Sequence, residues 1–265
     1  MTLGRDAADP PGQEPRLFQG AAGHYERFRL GFPDRLIERV ASLAGLKPGD
    51  AMLDLGCGTG MLATGFARLG MAITAMDPEP EMLAATQAAA RAQGVAVTPI
   101  LGGAEDLTPD MGPFALVAMG RAFHWMDRAA TLSMLDKIVS PDGGVALFHD
   151  AHPPVPENGW FKILCDLQGR FRQDKTAVRG GGHRRYEPFL FASAFTQLDG
   201  LSVTIRQPLT VEDIVGRAFS MSHSGVKREE FAAALASALR ELSPDGKFTE
   251  VAELVAVLAR RANER

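Results

Sequence analysis

Cysteine is scarce in this chain. Cys57 and Cys165 are the only two in 265 residues, too few for a disulfide framework and without the spacing of a zinc site. The low count fits a reducing compartment, so a cytoplasmic location is expected. Long apolar runs are also missing. No segment approaches the ~20 residues needed to span a bilayer, and no membrane partner is expected. Residues 1–15 are polar, rich in Pro, Gly and Asp, and lack the apolar core of a signal peptide; a disordered tail is expected there. No long Lys/Arg run occurs and the net charge is −4, which counts against a nucleic-acid partner. The densest basic spot is His183-Arg184-Arg185. It reads either as a solvated loop or as an anchor for an anionic group on a substrate. His149 and His152 flank Asp150, but the spacing matches no recognised ligand set, and no metal is expected.

What is present is an alternation of short apolar runs and helical stretches. Leu36, Ile37, Val40, Leu43 and Ala44 recur at the three-and-four spacing of one helix face within a helical region from 17 to 46 that breaks near Gly31-Phe32-Pro33. Apolar runs at 51–55, 71–76, 95–101, 113–120 and 145–148 read as five strands. Helical stretches follow at 60–70, 79–94 and 127–139, the last with Asp127 as N-cap. Short connections between them argue for a parallel sheet covered on both faces. After His149 the rhythm changes. Residues 151–196 hold Pro153, Pro154 and Pro156, an amphipathic stretch from Trp160 to Phe171, the run Gly180-Gly181-Gly182 and an aromatic segment. This stretch reads as a lid inserted between strands. Residues 201–207 alternate like a strand, 211–220 and 228–242 are helical, and 253–258 lean toward a last strand.

The most specific feature is Met52-Leu53-Asp54-Leu55-Gly56-Cys57-Gly58-Thr59-Gly60. A buried strand enters three close glycines and then a helix. Such glycines let the backbone turn sharply and let a ligand approach with no Cβ in the way, at the strand end where open α/β sheets bind ligands. Asp77 closes the second strand, and an acidic residue about 20 positions on suits both hydroxyls of an adenosine ribose. Met61 occupies the third position of the dinucleotide fingerprint, where a bulky side chain disfavours a pyrophosphate and hence a nicotinamide-dependent oxidoreductase. Asp54, just before the first glycine, suits an ammonium group and not a phosphate.

With these residues the sequence resembles the class I S-adenosylmethionine (SAM)-dependent methyltransferases. The matching segments, in order, are Leu53 to Gly60, Ala75-Met76-Asp77-Pro78 with Met82, Gly103 to Leu107, Phe114 to Val117 with His124-Trp125, and the upstream Tyr25 to Pro33. Together they cover about residues 20–150. Gly103 and Ala115 depart from the family, which often has Asp at both positions. The resemblance implies a doubly wound, mostly parallel seven-stranded sheet of Rossmann-like type with a lid after the fifth strand. It implies a SAM-binding part over 16–150 with an N-terminal cover helix, the lid over 151–196, and the rest of the same α/β domain over 197–265. It places Gly56 and Gly58 along the methionine part of SAM, with Asp54 near its ammonium, and counts Cys57 and Gly60 among the cofactor-binding residues of the same loop. Asp77 would bind the ribose, Pro78 and Met82 the adenine side, and Ala104 and Glu105 the adenine edge. Tyr25 and Arg29 belong to an element folding over the cofactor, with Arg29 toward its carboxylate. Gly120 and Arg121 end the fourth strand beside the sulfonium.

The expected activity is methyl transfer to a small metabolite or natural product, on oxygen or nitrogen in preference to carbon. A SAM-fold protein without catalysis, and a methyltransferase for RNA or protein, are the other readings. His124 and Arg121 are the candidate catalytic residues. His124 could instead simply pack beside Trp125. Trp160, His183, Arg184 and Tyr186 are the candidate substrate contacts, although the aromatic residues of 160–191 could equally form the lid's own core.

Overall fold

A computed structural model of the chain describes residues 28–171, 186–220 and 228–262. Its centre is a seven-stranded sheet in the order β3-β2-β1-β4-β5-β7-β6. The strands are β1 Ala51–Leu55, β2 Ala72–Asp77, β3 Val97–Leu101, β4 Phe114–Gly120, β5 Val139–Ala151, β6 Gln197–Thr210 and β7 Lys247–Arg260. The pairs among β1 to β5 are parallel, and β7 runs antiparallel to both β5 and β6. Helices are α1 Asp34–Leu43, α2 Met61–Arg68, α3 Pro80–Ala92, α4 Arg128–Ile138, α5 Gly159–Phe171, α6 Glu187–Phe191, α7 Val211–Ser220 and α8 Arg228–Leu242.

Strand alternation sorts the core into two layers. Met52, Ala118, Ala146 and Phe148 face one side with Leu36, Ile37 and Val40 of α1 and Leu62 and Phe66 of α2. Their neighbours Leu53, Val117, Val145 and Leu147 face the other side with Leu132 and Leu135 of α4. Asp127 caps α4 by accepting from the Ala130 amide at 3.0 Å, as its position before the helix predicts.

Three expectations change. The strand expected at 145–148 is longer, and β5 spans Val139–Ala151. There the pairing with β4 jumps from Phe114–Val139 to Leu116–Gly144, an irregularity of the kind that absorbs extra residues in one strand. Strands β6 and β7 are longer than 201–207 and 253–258, because their fourteen-residue antiparallel pairing extends both. The helical cap is not confined to 151–196. Trp160 and Leu164 of α5 share one apolar core with Ile214 and Ala218 of α7 and Phe231, Leu235 and Leu239 of α8, so the cap draws on two insertions, one on each side of β6. Helix α1 starts at Asp34, and the expected helical stretch 17–27 lies outside the described residues. No described helix is long and apolar enough to cross a membrane.

Candidate cofactor and substrate site

The loop after β1 is built by the backbone. Gly56 and Cys57 both donate their amides to the Met76 carbonyl, at 2.8 and 3.0 Å, which ties the loop to the end of β2. Gly56, Gly58 and Gly60 have φ of +71°, +55° and +85°, the left-handed region that side chains avoid. The three glycines serve different ends. A Cβ on Gly56 would stand 2.5 Å from that of Ala122, and one on Gly60 would stand 2.9 Å from Thr86. Gly58 instead faces open space. Gly60 therefore packs closely against Thr86 of α3.

Asp54, Gly56, Cys57, Gly120 and Arg121 line one cavity together with Phe32, Met61 and Leu62. Asp54 is 1% exposed. Its Oδ2 accepts from the Ala63 amide at 2.8 Å, which caps the start of α2. Its Oδ1 is buried with no partner among the described residues. Burial pushes the Asp54 carboxyl up to about 7, the Ala63 amide opposes this, and the nearby Asp77 charge adds to it. A buried carboxylate oxygen with no donor is costly unless a ligand supplies one, and a cation or an N–H group is suited to that place.

Asp77, at the end of β2, accepts from Gly58 at 2.9 Å and from Glu79 at 3.0 Å, one amide per oxygen. Each carboxylate oxygen keeps a second lone pair for a hydroxyl. Burial pushes the Asp77 carboxyl above the usual carboxylate range, against the pull of those two amides. The Thr86 hydroxyl donates to the Gly58 carbonyl at 2.7 Å and fixes the far side of the loop. Cys57 is buried, and burial followed by the charges of Asp54 and Asp77 pushes its thiol well up; it is not a nucleophile.

Beyond Asp77, the 3₁₀ turn Ala104–Asp106 is held by Asp106, which accepts from the Gly103 amide at 2.9 Å. Met82 is buried, Ala104 partly so, and Pro78 and Glu105 are exposed.

Arg121 is the one described non-glycine residue with positive φ, +56°. Its amide donates to the Phe148 carbonyl. Its side chain pairs with Asp150, donates to the Leu30 carbonyl at 2.8 Å and lies 4.4 Å from the Phe32 ring centre. The guanidinium of this expected catalytic residue is thus engaged with groups of the chain itself. Burial alone would raise Asp150, but Arg121 and Arg29 hold it well below the usual carboxylate range. Arg29 thus has an internal carboxylate beside it, besides the cofactor carboxylate expected for it.

His124 stands in the 3₁₀ turn Phe123–Trp125 with its ring 4.7 Å from that of Trp125. Tyr186 sits 5.5 Å from His149, its phenol pushed up to about 12 by burial and then by Glu187. Trp160 is 0% exposed in the core of the cap. The His152 ring lies 5.4 Å and the Arg217 guanidinium 5.8 Å from its ring, so this expected substrate contact is packed inside the cap. Tyr25, His183, Arg184 and Arg185 lie outside the described residues.

Sequence reading missed a buried charged set at the β5–β7 end of the same edge. Glu250, 0% exposed, pairs with Arg217 and with His152, the latter at 2.7 Å, and accepts from Gln207 at 2.8 Å. One signal was available. Arg217 stands three residues after Ile214 and next to Ala218, both buried, so helical spacing alone puts a charge on an apolar face.

Comparison with known proteins agrees with this geometry. Residues 52–143 match the methyltransferase domain family. A protein of Mycobacterium tuberculosis named only as an uncharacterized methyltransferase is 33% identical over 153 residues, 58% of this chain and 59% of that protein. The matched part thus spans less than two thirds of that relative. The ubiquinone biosynthesis O-methyltransferase of Methylocella silvestris is 34% identical over 44% of each chain. Among solved structures, the YcgJ protein of Bacillus subtilis superposes with a TM-score of 0.56 at 19% identity, over 87% of this chain and all of that one. A Geobacter sulfurreducens methyltransferase in complex with S-adenosyl-L-homocysteine gives 0.53 at 18% identity, over 94% and 99%. At such identities the structures speak for the fold. The family match falls on the strands and glycine loop that build the cavity, and the fold around it is the one these solved structures share.

Proposed function

We propose that the protein binds SAM in the cavity beside the glycine loop and transfers its methyl group to oxygen or nitrogen of a small molecule. The observation that carries this reading is the buried Oδ1 of Asp54 on that cavity, with no partner among the described residues, and the Asp77 carboxylate joined to the same loop through Gly58. One acid suits an ammonium, the other a ribose diol, and no phosphate is needed between them. When bound, the cofactor supplies a methyl group on an electrophilic sulfonium.

The residues of the chain bind and orient. Asp54 receives the ammonium, Asp77 the hydroxyls, and the bare face of Gly58 lets the ligand lie against the backbone. Phe32, Leu62 and Met61 form the apolar wall that keeps water from the reacting centre. Catalysis of this kind rests on holding an acceptor in line behind the methyl group. His124 is the candidate to receive a proton from an acceptor hydroxyl, with Tyr186 and the basic residues His183 and Arg184 contacting the acceptor. The similarity to an O-methyltransferase supports oxygen as the acceptor atom.

Calorimetry on the full chain tests the cofactor. SAM and S-adenosylhomocysteine should bind and NAD should not; binding of NAD alone overturns the proposal. Incubation with isotopically labelled SAM and a metabolite extract should then yield a labelled small molecule. Binding without any transfer would leave a ligand-binding protein.

A further inference from the structure

The chain that precedes α1 runs past the cofactor cavity, and every second residue of it, Phe28, Leu30 and Phe32, is buried. The Phe32 ring lines the cavity and meets Phe148 edge-on at 5.2 Å. Two arginines from distant parts of the fold hold this segment by its backbone. Arg121, after β4, donates to the Leu30 carbonyl at 2.8 Å. Arg217, on α7 of the cap, donates to the Phe28 carbonyl at 3.0 Å. Each arginine is paired with an acid of the strand edge: Arg121 with Asp150 and Arg217 with Glu250. His152 bonds Glu250 and stacks 4.1 Å from Phe161 of the cap. The fit at the cap is close, since a Cβ on Gly216 would stand 2.5 Å from the Phe28 ring.

We infer that Arg217 and Glu250, although neither lines the cavity, are positioning residues of the cofactor site: they fix the Phe28 carbonyl and with it the segment that presents Phe32. A guanidinium can reach a carboxylate and a carbonyl at once because its donors form a rigid planar fork. Glu250 holds that fork in one orientation, since a buried arginine without its acid would turn elsewhere or draw in water. The two carbonyl anchors lie two residues apart, and Phe32 follows two residues later. Loosening the first anchor therefore removes one of the two arginine contacts that hold the backbone of the segment leading to the cavity wall. The inference rests on the cavity being the SAM site.

The test uses the full chain, S-adenosylhomocysteine as the probe, and hydrogen exchange of the backbone over residues 28–33. Glu250→Gln keeps the shape and removes the charge. It should weaken probe binding at least tenfold and speed exchange over 28–33. Leu235→Ala, in the apolar core of the same cap, is the control for plain destabilisation. It should lower the melting temperature yet leave probe affinity within twofold and exchange over 28–33 unchanged. If Glu250→Gln fails to fold, Arg217→Lys serves instead. It keeps the charge, cannot reach both partners with one ammonium, and should act in the same direction. Unchanged affinity and exchange in these variants overturn the inference, as does equal weakening by Leu235→Ala at a matched loss of melting temperature. Should the wild type not bind the probe, the SAM reading fails, and exchange over 28–33 still decides whether the two residues hold the segment.

Discussion

The two ends of the strand edge are made differently. Over β1 and β2 the site is almost all backbone: amides on a carbonyl, glycines with positive φ, and two acids that accept from amides. Its parts come from residues 54–86. Over β5 to β7 it is side chain on side chain, with Arg121, Asp150, His152, Arg217 and Glu250 interlocked, and with hydrogen bonds joining residues 91 and 189 apart in sequence. A backbone site is specified by local conformation and tolerates few substitutions. A charged lattice depends on several elements arriving together.

This contrast predicts different failures. Arg121→Ala should cost the most in stability, because it removes the salt-bridge partner of the mostly buried Asp150. The loss should be about 3 kcal/mol, or roughly 5–10 °C in melting temperature, read by differential scanning calorimetry. A loss below about 1 kcal/mol would show that the lattice does not depend on this pair. At the backbone end, Gly58→Val should leave most of the stability and abolish S-adenosylhomocysteine binding. Its Cβ would enter open space at φ +55°, costing about 1–2 kcal/mol of strain, and would project where the ligand lies. Wild-type affinity in that variant breaks the assignment of the loop. Asp77→Ala should weaken cofactor binding by about 1–3 kcal/mol through lost charged hydrogen bonds, with a smaller change in melting temperature than Arg121→Ala.

The smallest effect is a pH dependence at Asp54. In the folded protein its carboxyl titrates near 7, above the value of an unfolded chain. The folded state therefore holds a proton that the unfolded state has lost, and this group's contribution to stability falls as pH rises from about 4 to 7. Binding runs the other way. An ammonium favours the ionised acid, so cofactor affinity should rise with pH through the same window, by no more than tenfold per unit, and level off above 7. 5′-Methylthioadenosine, which lacks the ammonium, should show no such rise; an equal rise for both ligands would sink the Asp54–ammonium pairing.

How much was legible follows the same division. Strands β1 to β5, the glycine loop and Asp77 could be read because apolar runs, glycines and one acid lie close along the chain. The separate duties of Gly56, Gly58 and Gly60 could not, since they depend on Ala122 and Thr86, which other elements bring in. Trp160 was ambiguous because an aromatic residue on an amphipathic helix reads alike as pocket wall or core; the arrival of α7 and α8 around it decides for core.

The sequence by itself determined a parallel α/β sheet with a ligand loop after its first strand, because hydrophobic period and glycine spacing are local properties that act before distant residues meet. Only the tertiary structure decided which charges pair at the other end. Glu250 continues the row Ala252, Leu254, Ala256 and Leu258, whose members share one apolar core layer, and an acid at the head of such a row is tolerable only once Arg217, His152 and Gln207 reach it from three other parts of the chain. Coulomb pairing in a desolvated site depends on distance in space and leaves no period along the sequence.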